Sequence, residues 1–453
     1  MHTGAHANRQ HDLGTDLGND PAQSSFNRAM GLAKGVLLVC DIEAVVTSRI
    51  WVDYELYRTV RMNAGLDVVI HANGSPHLIA AEPLPNESPY QKNKREKDFP
   101  FEAVCNKLLS VKLQDGDSSE PIDKIRILNT MIDNKPLDSK GVLERVEKND
   151  TKDNKYINDL NLFSQSNAAL RAEMACKSVS VALSTDGQNY DNFFGFDLLK
   201  IIAKDKLRES IVLNDLTGLD SVTDSVLCTL IKLAGPSVKR FEIDVKGCRN
   251  ITNKAIRLIS FPPTLQLLSL NFGYAKNITN DALIKLMKKI PTSLQCLDLD
   301  VCGFKDPAGK YLPERYSTLL VELSKNLPSE LTQLKFVSTL DDEDGGVNGL
   351  AKLLETLPSS LKSLSFKFEQ WDNFKGHMIV EIFKSLPSTL EEFSITIYNG
   401  DHIEDDDLRM AAKQIQRLDH LKDLSLHSRS HGNYGYYKVR DFHSVSEVLS
   451  FAE

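Results

Sequence analysis

The sequence predicts an α/β chain, a solenoid of repeated strand–helix units preceded by a helical connector and a strand–helix–strand segment. Three observations predict it. A short run with Pro second and Leu fifth recurs at Phe261–Leu270, Ile290–Leu299, Leu327–Phe336, Leu357–Phe366 and Leu386–Ile395. A polar turn and a stretch of helical apolar spacing follow each copy. Near the N-terminus, two short apolar runs flank an amphipathic stretch. The expected domains are residues 1–80, 81–173 and 174–453.

Composition bounds the reading. The 453 residues are 41% apolar and 26% charged, as in an ordinary globular protein. A net charge of −8 gives no global attraction to nucleic acid. No apolar run approaches the ~18 residues of a membrane span. Met1–Asp20 is polar and unlike a secretory leader. Seven cysteines lack C-x-x-C spacing and are expected as buried free thiols in a reducing compartment. The expectation is a cytoplasmic chain with neither a nucleic-acid nor a membrane partner. Phosphate-loop, dinucleotide, zinc-protease and nucleophile-elbow motifs are missing, so no metal and no cofactor is expected.

In chain order, Gly35–Asp41 is a continuous apolar run, as in a buried parallel strand. Trp51 and Leu56 start an amphipathic helix, and Val68–His71 reads as a second strand. Pro83–Lys97 reads as a charged linker whose basic run Lys92–Lys97 is solvated. Ile125, Ile127, Leu128 and Met131 have helical spacing in a connector suited to capping a solenoid.

The repeats follow. Their third strand anchors are Val181, Val212, Ile243, Leu270, Leu299, Phe336, Phe366, Ile395 and Leu426, spaced 27 to 37 residues apart. Leu268, Leu270 and Phe272 alternate inward, and Leu267, Ser269 and Asn271 outward. Thr252 and Thr279 stand where helix N-caps belong. Extra residues near Lys305–Tyr316 read as a surface loop, and Asp341–Asp344 and Glu404–Asp407 as solvated turns. The outward positions supply the candidate binding residues Glu242, Asp244, Asn271, Asp298, Asp300, Lys335, Lys367 and Glu392. The first acids of this set would suit a basic partner.

Two resemblances rest on these residues. Residues 174–453 resemble leucine-rich repeats of the ribonuclease-inhibitor type. That resemblance implies a horseshoe whose concave strand face binds a protein partner. The order strand, loop, Ser48-x-x-Trp51-x-x-x-Glu55-Leu56 helix, strand resembles the later half of a TIR domain. With Asn8–Asp12 and Phe26, it is similar to TIR-like proteins of unicellular algae and related eukaryotes. Several TIR domains cleave NAD, which implies NAD as a substrate and Glu55 as the catalytic carboxylate, stabilising oxocarbenium-like charge. Val52 stands where that family has Cys, and the TIR-like segment is partial. The expected function is therefore intracellular protein recognition and scaffolding, with a TIR-like NAD-cleaving signalling enzyme, controlled by the repeats, as the alternative. The sequence leaves partner and oligomeric state open.

Overall fold

The chain divides into two compact units, Met1–Arg208 and Glu209–Glu453. The structure, a computed structural model, describes residues 21, 24–62, 64–80, 84–96, 99–100, 107–119, 121–131, 163–185, 194–214, 216–303, 314–339, 345–369, 376–398, 404–431, 437–442, 444–445 and 447.

In the first unit, helix α1 (Ser25–Leu32) starts at Ser24, whose hydroxyl accepts from Asn27 N at 3.1 Å. Strand β1 (Gly35–Asp41), a 3-10 turn (Val45–Ser48), helix α2 (Ile50–Arg61) and strand β2 (Gly65–Ala72) follow. β1 and β2 pair parallel from Gly35↔Gly65 to Asp41↔His71, the expected strand–helix–strand order. β3 (Ser75–Ile79) then returns antiparallel on β2. The sequence reading missed this hairpin. Its turn is Asn73-Gly74, with φ of 52° and 77°, the left-handed pair that a tight hairpin needs.

Among the described residues, helices α3 (Pro89–Glu96), α4 (Pro121–Met131), α5 (Ser164–Thr185) and α6 (Phe194–Ile202) follow, with a 3-10 turn at Leu113–Asp115. Leu38, Leu66, Val68 and Ile70 of the sheet share one core with Ile50, Tyr54 and Leu56 of α2 and with Leu128, Leu170 and Met174. Two expectations are corrected here. Residues 89–96 form α3 and are not a solvated linker: Lys92 Nζ lies 2.9 Å from Glu96 Oε2, with both side chains essentially inaccessible. Glu96 Oε1 also accepts Ala80 N at 2.8 Å, tying α3 to the end of β3. Val181, expected on a strand, lies inside α5. Ala175, Val179, Ala182 and Leu183 are buried, and their three- and four-residue spacing is helical.

The second unit alternates strand and helix: β4 (Ser210–Leu213), α7 (Asp224–Lys232), β5 (Arg240–Asp244), α8 (Asn253–Leu258), β6 (Leu267–Asn271), α9 (Asn280–Met287), β7 (Cys296–Asp300) and α10 (Glu314–Asn326). It continues with β8 (Gln333–Thr339), α11 (Gly345–Glu355), β9 (Ser363–Glu369), α12 (Gly376–Ser385), β10 (Glu392–Tyr398), α13 (Asp405–Ile415) and β11 (Asp423–His431). β12 (Tyr437–Phe442) pairs antiparallel on β11. The nine strands lie in chain order, and β4 to β11 are parallel, an arrangement compatible with a leucine-rich-repeat solenoid.

Register follows the apolar pattern. Ile243, Leu270, Leu299, Phe336, Phe366, Ile395 and Leu426 stand opposite one another, strand after strand. All are buried. Val212 does not join this row. It is 36% exposed, while Leu213 is buried and pairs with Ile243. The true anchor of β4 is one residue later, and a one-residue slip exchanges the two faces of a strand.

The recurrent Pro-x-x-Leu has a physical basis. Its Leu N–H donates to the Pro carbonyl, as in Leu265→Pro262 at 3.2 Å and Leu361→Pro358 at 3.0 Å, closing a turn before each of β6 to β10. The residue before Leu joins successive units. Thr264, Ser293, Ser360 and Thr389 donate their hydroxyls to the carbonyls of Val238, Leu265, Leu331 and Leu361 in the preceding unit. The next N–H also crosses over, as in Gln266→Lys239 at 2.7 Å and Lys362→Thr332 at 2.8 Å. Among the described residues, no helix is long and apolar enough to cross a membrane.

Candidate functional site

The outward positions of β4 to β11 form rows across the sheet. Glu242, Ser269, Asp298, Lys335, Ser365, Ser394 and Ser425 make one row. Asp244, Asn271, Asp300, Val337, Lys367, Thr396 and His427 make the next. Glu392 lies in a third, between Ser363 and Asp423. The four acids of β5 and β7 therefore do converge on one area of the sheet. Among the outward residues, Val212, Arg240, Gln333, Lys335, Glu392 and Asp423 are exposed, and Val337 and Thr339 are buried.

The charges in this area are largely engaged. Arg240 Nε donates to Glu242 Oε1 on its own strand. Lys335 Nζ reaches Asp298 Oδ2 at 2.7 Å across two strands. Asp244 Oδ1 accepts Lys246 N at 2.9 Å and Thr217 Oγ1 at 3.1 Å, and its Oδ2 accepts Asn271 Nδ2 at 2.9 Å. Asn271 Oδ1 accepts Gly273 N at 3.0 Å, and Asp300 Oδ1 accepts Cys302 N at 3.1 Å. Asp244, Asn271 and Asp300 thus close the turns that leave three adjacent strands. Burial raises the pKa of Asp244, and these hydrogen bonds oppose the rise.

A cluster that the sequence reading overlooked stands beside these rows. Tyr274 has φ of 58°, is 41% exposed, and donates from its hydroxyl to Glu369 Oε2 at 2.5 Å. Gly303 lies under its ring; a Cβ there would come within 2.4 Å of Tyr274 Cδ1. Lys246 Nζ stands 5.2 Å from the centre of the same ring. Lys367 Nζ joins Glu369 Oε1 at 2.9 Å and stands 5.5 Å from the Tyr398 ring centre. Burial works to raise Glu369, but the hydrogen bonds from Tyr274 and Lys367 outweigh it and hold the carboxyl below its ordinary value. A signal existed in strand length. β8, β9 and β10 run seven residues where β5, β6 and β7 run five, so each gains a fourth outward position.

Glu404–Asp407 lies at the start of α13, where Asp407 Oδ2 accepts Glu404 N at 3.0 Å, a helix-starting role. Residues 305–313 and 341–344 lie outside the described residues. Among the described residues, no group of three His, Cys, Asp or Glu is suited to a metal ion. The six described cysteines are free, and burial pushes the thiols of Cys40 and Cys176 up to about 11.

Glu55 lies on α2 in the first unit, half-buried. Burial lifts its carboxyl to about 7, against the opposing charge of Arg49. Two residues earlier, Asp53 is fully buried, and neither carboxyl oxygen has a hydrogen-bond partner among the described residues. Burial first, and the Asp115 charge second, raise it to about 8, with Lys124 opposing. Gly116 abuts it so closely that a Cβ would come 2.5 Å from Asp53 Oδ2. Trp51 meets Tyr54 edge-on, with ring centres 6.2 Å apart.

No family model matches the sequence, and no curated protein matches it. Among solved structures, the leucine-rich repeat-containing protein LegL7 from Legionella pneumophila is similar over 55% of this chain and 93% of its own. The identity is 13% and the TM-score 0.26.

Proposed function

We propose that this chain is an intracellular recognition and scaffold protein of leucine-rich-repeat type, holding a protein partner on the outward rows of its parallel sheet. The observation that carries the reading is the common register of β4 to β11. It sets polar and charged side chains in continuous rows, the kind of extended surface that repeat proteins use for binding. In this reading Glu242, Asp298, Lys335, Lys367 and Glu392 meet the partner. Asp244, Asn271 and Asp300 hold the strand-end turns that shape the same surface. Free cysteines fit a cytoplasmic location.

A photo-crosslinker at Ser269 or Ser394 is expected to capture one protein from an extract of the source cells. The same group at Lys285, exposed on α9, is expected to capture none. Charge reversal at Glu242 and Asp298 together should abolish capture without lowering the melting temperature. Capture from Lys285 alone, or capture indifferent to the reversal, would sink the reading.

A second reading keeps the TIR-like NAD-cleaving alternative. One observation favours it: Glu55 is lifted to about 7, within reach of either protonation state at neutral pH. NAD is then a substrate and not a resident cofactor. Turnover by the chain that disappears in Glu55→Gln would support it, and turnover unchanged in that variant would remove Glu55 from the chemistry.

A further inference from the structure

We infer that strand β1 is a self-association edge, at which two copies of this chain pair their β1 strands antiparallel and join their two three-stranded sheets into one.

The argument starts from the two edges of the first unit's sheet, whose order is β1-β2-β3. The β3 edge is protected. It carries Pro76, and Arg95 Nη1 of α3 donates to the Leu78 carbonyl at 2.9 Å. Pro and covering side chains are the usual devices that stop a sheet from growing. Among the described residues, the β1 edge has neither. Its sequence, GVLLVCD, holds no proline and no charge before its last residue. Among the described residues, no strand pairs with its outer side. Half the peptide groups of a paired strand point away from its neighbour, so this edge offers unpaired donors and acceptors.

Exposed apolar residues stand on this strand and flank it in sequence. Val39 is 53% exposed, with Leu32 at 90%, Val45 at 58% and Ile42 at 39%. Val39 stands in register with Val69 and Leu78 across the three strands. These three lie on the face opposite Leu38, Val68 and Ile70, which enter the core. A run as apolar as β1 is suited to a strand covered on both faces.

The strand's own pattern selects a second copy as the occupant. Antiparallel pairing about a two-fold axis at Leu38 sets Leu37 opposite the partner's Val39, both on the face of the sheet turned away from the core. Lys34 precedes the strand and Asp41 ends it. Antiparallel pairing brings each lysine to the end of the partner strand that carries the acid. Parallel pairing would gather like charges at each end. The strand and its flanking patch are small against the ~1,200–2,000 Å² of a stable interface, so association is expected at about micromolar concentration.

The test is sedimentation equilibrium of the full chain from about 1 to 200 μM, a range chosen to bracket that expectation. A reversible monomer–dimer equilibrium is expected, weakened about tenfold or more by Val39→Lys, which sets a charge in the middle of the edge. Unchanged melting of Val39→Lys shows that the exposed site tolerates the lysine. Register is read separately: chains with Leu37→Cys, mixed with chains with Val39→Cys, should oxidise to a mixed dimer in preference to either self-linked one. A chain monomeric throughout overturns the inference. So does a dimer that Val39→Lys leaves intact, or cross-linking indifferent to the mixture.

Discussion

Asp53 shows how much a single side chain can set. It occupies the first turn of α2 with no accessible surface and no hydrogen-bond partner for its carboxylate among the described residues. An ionised carboxylate in that place is costly, so the folded unit keeps the proton up to about pH 8. The unfolded chain releases the same proton near its ordinary value, about 3.9. Between those values the native state binds more protons than the unfolded one, so stability falls as pH rises. The slope has a ceiling of about 1.4 kcal/mol per pH unit for this one group. Glu55, lifted to about 7, adds loss of the same sign and ends sooner. In a Trp371→Phe background Trp51 alone reports on the first unit, since the chain has two tryptophans. Its denaturation midpoint should fall from pH 5 to pH 8, and Asp53→Asn should remove most of that fall. An equal fall in the variant would mean that Asp53 ionises while folded.

At the level of elements, the same physics explains what could be read in advance. From Leu270 to Ile395 the strand anchors were legible because each follows a Pro-x-x-Leu turn at a fixed offset; before β5 and β11 the same turn closes with Gly235 and Leu418 in the Pro position, and there only the apolar alternation marked Ile243 and Leu426. The first two anchors failed for local reasons. Val181 belongs to a helix whose four-residue spacing also satisfies a loose strand pattern over three residues. Val212 sits in a four-residue strand where either register looks apolar. The β2–β3 hairpin was missed, although Asn73-Gly74 signals it. Lys92 could not be read as buried, because nothing in a Lys-rich run announces that Glu96 will be enclosed beside it. The candidate site was legible as a set of positions and not as a set of states. Alternation gave the outward residues, whereas the Lys335–Asp298 contact depends on which strands lie side by side. Tyr274 and Glu369, 95 positions apart, meet through the stacking of whole units.

Across the whole second unit, stability is a chain of neighbour contacts, because each strand–helix unit buries its face only against the next. Such a stack must end somewhere, and an open parallel edge invites further strands. β12 ends it by turning back antiparallel on β11, from Leu426↔Phe442 to His431↔Tyr437. Its sequence includes Lys438, Arg440 and Asp441, charges of the kind that keep an edge strand from recruiting another. Deleting residues 437–453 should expose β11, whose Leu424 and Leu426 belong to the core, without touching any other strand pair. The loss is therefore expected to begin at that end. Hydrogen exchange should lose protection first in β11 and α13, then in β10, while β5 to β7 keep theirs. Light scattering should show oligomers growing with concentration, since the new edge is longer than β12 and carries fewer charges. If exchange rises evenly from β4 to β11, the unit unfolds as one cooperative body and β12 is no local cap. If exchange and scattering both stay unchanged, β11 is stable as an open edge and needs no cap.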